Sequence, residues 1–324
     1  MNGRYRFIGW LCVAIVLAGC GRSAIRPAPL PTATPVVTAS PLAPLTPTFT
    51  PEPTATSTAQ PPTSTPTVLP TATAEPTLTP TTLPAAFQTD PQIGQHPYSL
   101  TLQLVSASGV TQSFTIGFLL YLPPEYGQGQ AQTWPLILFL HGSAENGTDP
   151  EQVAANGLPQ LLAGDVHFPF MVLSPQAPDG VVWWGTELDQ VHALLDQIQA
   201  NYAVDPKRVY LTGISMGGFG AWAMAIQYPQ RFAALVPIAG GWNSENDSIP
   251  GNICVLKDLP IWVFHGEQDD IVLPQKSQLM VDALAKCGSD VKFTLYPGAD
   301  HRASWALAYA EPALFKWLLA QHLP

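Results

Sequence analysis

VYLTGISMGGFGAWAMAIQY, residues Val209 to Tyr228, carries three signals in one short stretch. Val209, Tyr210 and Leu211 open it as an apolar run suited to a buried strand. Gly213 and Gly217 bracket Ser215 in a G-x-S-x-G pentapeptide, where small residues relieve crowding at a sharp turn. From Gly218 to Tyr228 no proline intervenes until Pro229 stops the pattern, as expected of a helix. Strand, tight turn and helix start in that order would hold a serine hydroxyl at a helix N-terminus, beside outward-pointing backbone amides. Ser215 is therefore a candidate nucleophile. The competing reading is a glycine-rich turn with an inert serine.

Outward from this stretch, the 324 residues fall into three zones. Residues 1–20 carry Arg4 and Arg6, then an apolar run from Phe7 to Leu17 that is too short to span a bilayer and fits a secretory signal. The segment ends Leu17-Ala18-Gly19-Cys20, which resembles the lipobox of bacterial lipoproteins. That resemblance implies lipidation at Cys20 and anchoring to a membrane, facing the cell surface or periplasm. An ordinary signal peptide or an uncleaved anchor is the alternative, and either also puts the remainder outside the cytoplasm. Residues 21–86 are Pro, Thr, Ala and Ser with almost no aromatic residue, and about sixteen of the 35 prolines lie there. Such a composition buries no core. It is expected to be a disordered, partly polyproline spacer reaching at most roughly 200 Å.

Residues 87–324 have the length and apolar content of one globular domain. This zone holds 9 basic and 21 acidic residues, a net charge of −12, so nucleic acid is not an expected partner. Two of the four cysteines, Cys254 and Cys287, fall inside it. In an oxidising compartment they either pair as a disulfide or stay as two buried thiols. There is no CxxC and no cluster of His and Cys at metal-ligand spacing, so no metal site is indicated.

Apolar runs recur at Ser113–Leu122, Leu136–Leu140, Phe170–Leu173, Val209–Leu211, Ala234–Ile238, Ile261–Phe264 and Val291–Tyr296. Most are continuous rather than alternating, as in a parallel sheet covered on both faces. Helical patterns lie between them at Glu187–Tyr202, Met216–Tyr228, Pro274–Lys286 and Ser304–His322. Together they predict an α/β, doubly wound, mostly parallel sheet with helices on both faces. Ser99–Ala107 and Ser113–Leu122, with Gly109 between them, read as an antiparallel hairpin at its edge.

Function in such sheets gathers where strands end. After the run ending at Leu140 comes His141-Gly142-Ser143-Ala144-Glu145-Asn146-Gly147, and after Leu211 comes Ser215. Phe264 is followed by His265-Gly266-Glu267-Gln268-Asp269-Asp270, and Tyr296 by Pro297-Gly298-Ala299-Asp300-His301. A serine hydroxyl is a weak nucleophile, so His301 is the candidate base that accepts its proton and returns it to the leaving group. A carboxylate on the other ring nitrogen would fix the tautomer; Asp269 and Asp270 both compete for that place. Asp300, adjacent in sequence to His301, is read as a loop carboxylate. The backbone amides of Met216 and Ser143 are candidate donors to the oxyanion. Glu145 is a candidate for orienting that loop. His141 and His265 are read as structural hydrogen-bonding residues, and His192 as solvated. Trp183, Trp184, Trp242 and Trp305 either line a substrate pocket or pack beneath surface loops.

These segments, with Leu122-Pro123-Pro124-Glu125-Tyr126, SPQAP at Ser174–Pro178 and VDPKRVYLTGISMGG at Val204–Gly218, resemble the carboxylesterase and predicted-peptidase branch of the α/β-hydrolases. The feruloyl and polyhydroxybutyrate esterases and the prolyl oligopeptidase catalytic domains are similar. The resemblance implies a triad in the chain order Ser, Asp, His, with Asp269 at the acidic position of an HGxxD pattern. It implies a small-molecule or polymer-linked ester as substrate, a peptide as the alternative, and no metal or organic cofactor. A hydrolase-fold protein that only binds is the remaining reading. One departure stands out: where related chains often carry HGxGERG, this one has Ala144 and Asn146.

Overall fold

Trp134–Leu140 (β3) shows why the sheet is two-sided: every residue in it is buried. Leu136, Leu138 and Leu140 enter one hydrophobic core, while Ile137 and Phe139 enter another on the opposite face. The structure, a computed structural model, describes residues 92–105, 109–128, 132–164 and 167–324. The expected signal segment, Cys20 and the spacer lie outside the described residues, as do 87–91 of the expected domain.

Eight strands form one sheet: β1 (Gly94–Val105), β2 (Thr111–Leu122), β3, β4 (Met171–Pro175), β5 (Val204–Ile214), β6 (Ala234–Ile238), β7 (Trp262–Gly266) and β8 (Lys292–Tyr296). Their spatial order is β1-β2-β4-β3-β5-β6-β7-β8. β1 and β2 form the anticipated antiparallel hairpin, registered from Gly94 opposite Leu122 to Val105 opposite Thr111. β2 is also antiparallel to β4, and every pairing from β4 to β8 is parallel. The chain thus steps outward from β3 to β4 and returns across β3 to β5, which puts a topological switch beside the ends of β3 and β5.

Helices cover both faces. On one side lie α2 (Thr186–Asn201), α3 (Met216–Gln227) and α4 (Gln275–Lys286), whose Leu188, Leu194, Trp222 and Met280 join the first core. On the other lie α1 (Gly157–Leu162), α5 (His301–Ala310) and α6 (Pro312–Leu319), which give Leu158, Ala308 and Leu318 to the second. Each large apolar side chain removed from water contributes about 1.5–3 kcal/mol. The helix expected at Ser304–His322 is therefore two helices. Glu311, just before Pro312, is extended (φ −80°, ψ 105°), because the proline ring clashes with a helical conformation in the residue before it. Cys254 and Cys287 are disulfide-bonded, with Cα atoms 5.4 Å apart, and tie the turn before β7 to the end of α4.

Candidate active site

Between β5 and α3 the backbone reverses at Ser215, whose φ of 52° is the left-handed region that a residue with a β-carbon seldom enters. Such a conformation costs about 1–3 kcal/mol, so surrounding bonds must hold it. The Ser215 amide donates to Ile238 O at 3.0 Å, and Ser215 O accepts from the Gly218 and Phe219 amides at 2.8 and 3.1 Å. The neighbouring backbones come so close that side chains are excluded. A β-carbon on Gly217 would sit 1.9 Å from Leu140 O, and one on Gly213 would sit 2.1 Å from Gly217 O.

Two further strand ends converge on this hydroxyl. His301 Nε2 lies 2.9 Å from Ser215 Oγ, and its Nδ1 lies 2.7 Å from Asp269 Oδ2. With the Nδ1 proton donated to the carboxylate, the Nε2 lone pair faces the serine. Asp269 is buried and Asp270 exposed, so the carboxylate at His301 is that of Asp269. Asp269 Oδ1 accepts from the Ile271 and Val272 amides at 3.0 and 2.9 Å, while His265 Nε2 stands 3.1 Å from Oδ2. Burial alone would raise this carboxyl. Hydrogen bonds from His265, His301 and the Val272 amide outweigh it and hold the group well below the usual carboxylate range. Asp300 caps α5 through a 2.8 Å bond from the Ala303 amide and takes no part in the cluster.

Ser143 and Met216 open helical turns whose preceding residues, Gly142 and Ser215, provide no side-chain cap. The first amides of a helix have no carbonyl partner within it, and both residues line the same cavity as Ser215. The loop carrying Ser143 is pinned from several sides. His141 Nε2 accepts from the Ala177 amide at 2.9 Å, so its proton sits on Nδ1 and is donated to Gly142 O at 2.6 Å. Burial pushes this imidazole down to about 4, against a smaller opposing effect of the Gly142 carbonyl. Trp183 Nε1 donates to His141 O at 2.9 Å, and Gln176 Nε2 donates to Glu145 O and Asp149 O.

The cavity measures about 530 Å³. Trp184 and Trp242 lie along it edge to face, ring centres 4.6 Å apart, with Phe219 and Val272 also on its wall and Asn243 and Glu245 adding polar groups. Phe219 and Val272 escaped the sequence reading because each looks like an ordinary helix or loop residue. Two expectations need correction. Trp305 is buried in the second core, edge-on to His301 at 5.0 Å, and is not among the residues lining this cavity; its place one turn into α5 turns it under the histidine. His192 is mostly covered rather than solvated, because its ring stacks on Tyr228 at 4.0 Å.

Residues 167–306 match the family described as phospholipase/carboxylesterase. A bifunctional acetylxylan esterase/xylanase from Neocallimastix patriciarum is 32% identical over 142 residues, covering 43% of this chain and 20% of that protein. A poly(3-hydroxyalkanoate) depolymerase C from Paucimonas lemoignei is 34% identical over 127 residues, covering 35% of this chain and 29% of that protein. The chain thus spans less than a third of either relative. Among solved structures, a thermostable esterase superposes with a TM-score of 0.55 at 30% identity, covering 69% of this chain and 63% of that one. The eight-stranded sheet with its sharp turn at Ser215 has the α/β-hydrolase fold, and over part of its length the chain is similar to carboxylesterases of that fold.

Proposed function

We propose that this chain is a serine carboxylesterase that works through an acyl-enzyme. The observation that carries the reading is the line from Ser215 Oγ to His301 Nε2 at 2.9 Å and from His301 Nδ1 to Asp269 at 2.7 Å, opening on a cavity shared with Ser143 and Met216. In that reading His301 takes the hydroxyl proton as Ser215 Oγ bonds to the ester carbonyl carbon. The carbonyl oxygen becomes negative and is met by the Met216 and Ser143 amides, each worth about 10²–10³ in rate. The imidazolium, steadied by Asp269, then protonates the departing alcohol. Water repeats the sequence on the acyl-serine and releases the acid.

An aromatic wall of Trp184 and Trp242 with Asn243 and Glu245 nearby suits an ester whose acyl or alcohol part has a flat or sugar-like face. The names of the relatives agree with a polymer-linked ester, either a xylan ester or a polyhydroxyalkanoate. A peptidase is the rival, since the same relay opens amides. p-Nitrophenyl acetate should give a burst matching the enzyme concentration and then steady turnover, with chromogenic peptides hydrolysed at least a hundredfold more slowly. Peptide turnover without ester turnover would reverse the choice. Inactivity toward both in folded protein would favour a binding role. The reading also includes export and anchoring through a lipid on Cys20. Cys20→Ala should release the protein from membranes, and unchanged retention would remove the anchor from the account.

A further inference from the structure

Glu145 buries its carboxylate beside the proposed reaction centre, with the residue only 2% exposed. A buried charge without partners would cost several kcal/mol. Asn156 supplies one partner: its Nδ2 donates to Glu145 Oε1. The other face of the carboxylate lies against Gly142, where an added β-carbon would stand 3.2 Å from Glu145 Oε2. Asn156 is itself oriented from the far side, because Arg302 Nη2 donates to Asn156 Oδ1 at 2.9 Å. Arg302 follows His301 directly at the start of α5, Asn156 precedes α1, and Glu145 shares its turn with Ser143. Three segments that carry no common strand are therefore linked in series, and the two ends of the series adjoin the base and an oxyanion donor.

We infer that Arg302, Asn156 and Glu145 form a positioning chain that holds the Ser143 amide in register with His301. This rests on the reading of Ser215, His301 and the Ser143 amide as a reaction centre. None of the three linked side chains lines the substrate cavity, so the chain would act on the geometry of the transition state and leave ground-state binding alone. A shift of about 1 Å at a reacting centre costs about a hundredfold in rate, and a relaxed loop shifts less than that.

The test compares Asn156→Ala, Arg302→Ala, the double variant and Arg302→Lys on p-nitrophenyl acetate, with thermal melting recorded for each. A trifluoromethyl ketone serves as a mimic of the tetrahedral intermediate. Each alanine variant should lower kcat about tenfold with KM within about twofold, and should weaken the ketone by the same factor. The double variant should lose no more than the worse single one, and Arg302→Lys should recover part of the loss. Wild-type kcat in Arg302→Ala would overturn the inference, as would losses that appear in KM or that multiply in the double variant. Arg302 is exposed, so that variant decides the matter even if Asn156→Ala fails to fold. A fluorophosphonate separates the two levels of the argument. If it labels Ser215 while the alanine variants behave as wild type, only the positioning chain fails; if it leaves wild type unlabelled, the reaction centre fails as well.

Discussion

Two flanks of the candidate site are built from different materials. On one, Ser215 is set by backbone fit: strained φ, carbonyls of neighbouring strands at van der Waals limits, and glycines that admit no β-carbon. On the other, Asp269 sits on the loop after β7 and His301 opens α5 after β8, and both are set by side-chain hydrogen bonds, including the second imidazole of His265. The difference separates folding from chemistry. Changes on the backbone flank should first harm stability, whereas changes on the hydrogen-bonded flank should leave a folded protein that reacts slowly.

Asp269→Asn offers the largest expected effect. It should lower kcat by about 10⁴, because the amide favours the wrong histidine tautomer, while circular dichroism stays native; Asp270→Asn should stay within about twofold. Equal losses at the two positions would undo the distinction drawn between them. Gly217→Ala comes next, with about 3 kcal/mol or more lost in urea denaturation, since the clash is with a carbonyl that has no room to retreat. Native stability in that variant would mean that backbone fit does not govern the turn.

Acid titration gives a third, smaller effect, centred on the loop after β3 that carries Ser143. His141 is held neutral, down to about 4 against an ordinary value of 6.5. Between those values the unfolded chain binds more protons than the folded one, so stability should fall by roughly 3 kcal/mol as pH drops from 6.5 to 4. His141→Gln should flatten that slope, and an unchanged slope would show that the loss originates elsewhere. Asp269, held low, should add a further loss as pH falls below about 4. Smallest of all is the cavity wall. Trp184, 43% exposed, should cost only about 1 kcal/mol when changed to Ala, read as a severalfold rise in KM for aromatic esters with little change in kcat.

Much of this was legible in the chain because the relevant physics is local. A strand buried on both faces writes a continuous apolar run, as at Leu136–Leu140, and a backbone contact without space writes a glycine, as at Gly213 and Gly217. Strand ends in a parallel sheet share one edge, so Ser215, Asp269 and His301 could be grouped before their distances were known. What escaped the reading depends on packing between distant segments. Arg302 meets Asn156 across 146 residues, and no spacing announces it. The departure at Asn146 makes the point in reverse: its side chain turns to Val181 O at 2.8 Å, and the guanidinium linked to Glu145 through Asn156 comes from the other end of the domain. His192 was misjudged for the same reason, since its helix showed a face but not the Tyr228 ring that covers it, and between pocket and packing for Trp305 the sequence offered no choice.

The most direct measurement is intact-mass analysis after exposure to a fluorophosphonate, followed by peptide mapping. The account predicts one adduct per chain, located on Ser215, abolished in Ser215→Ala and slowed by orders of magnitude in His301→Ala. A folded protein that takes up no adduct, or takes it up elsewhere with Ser215 untouched, would contradict it.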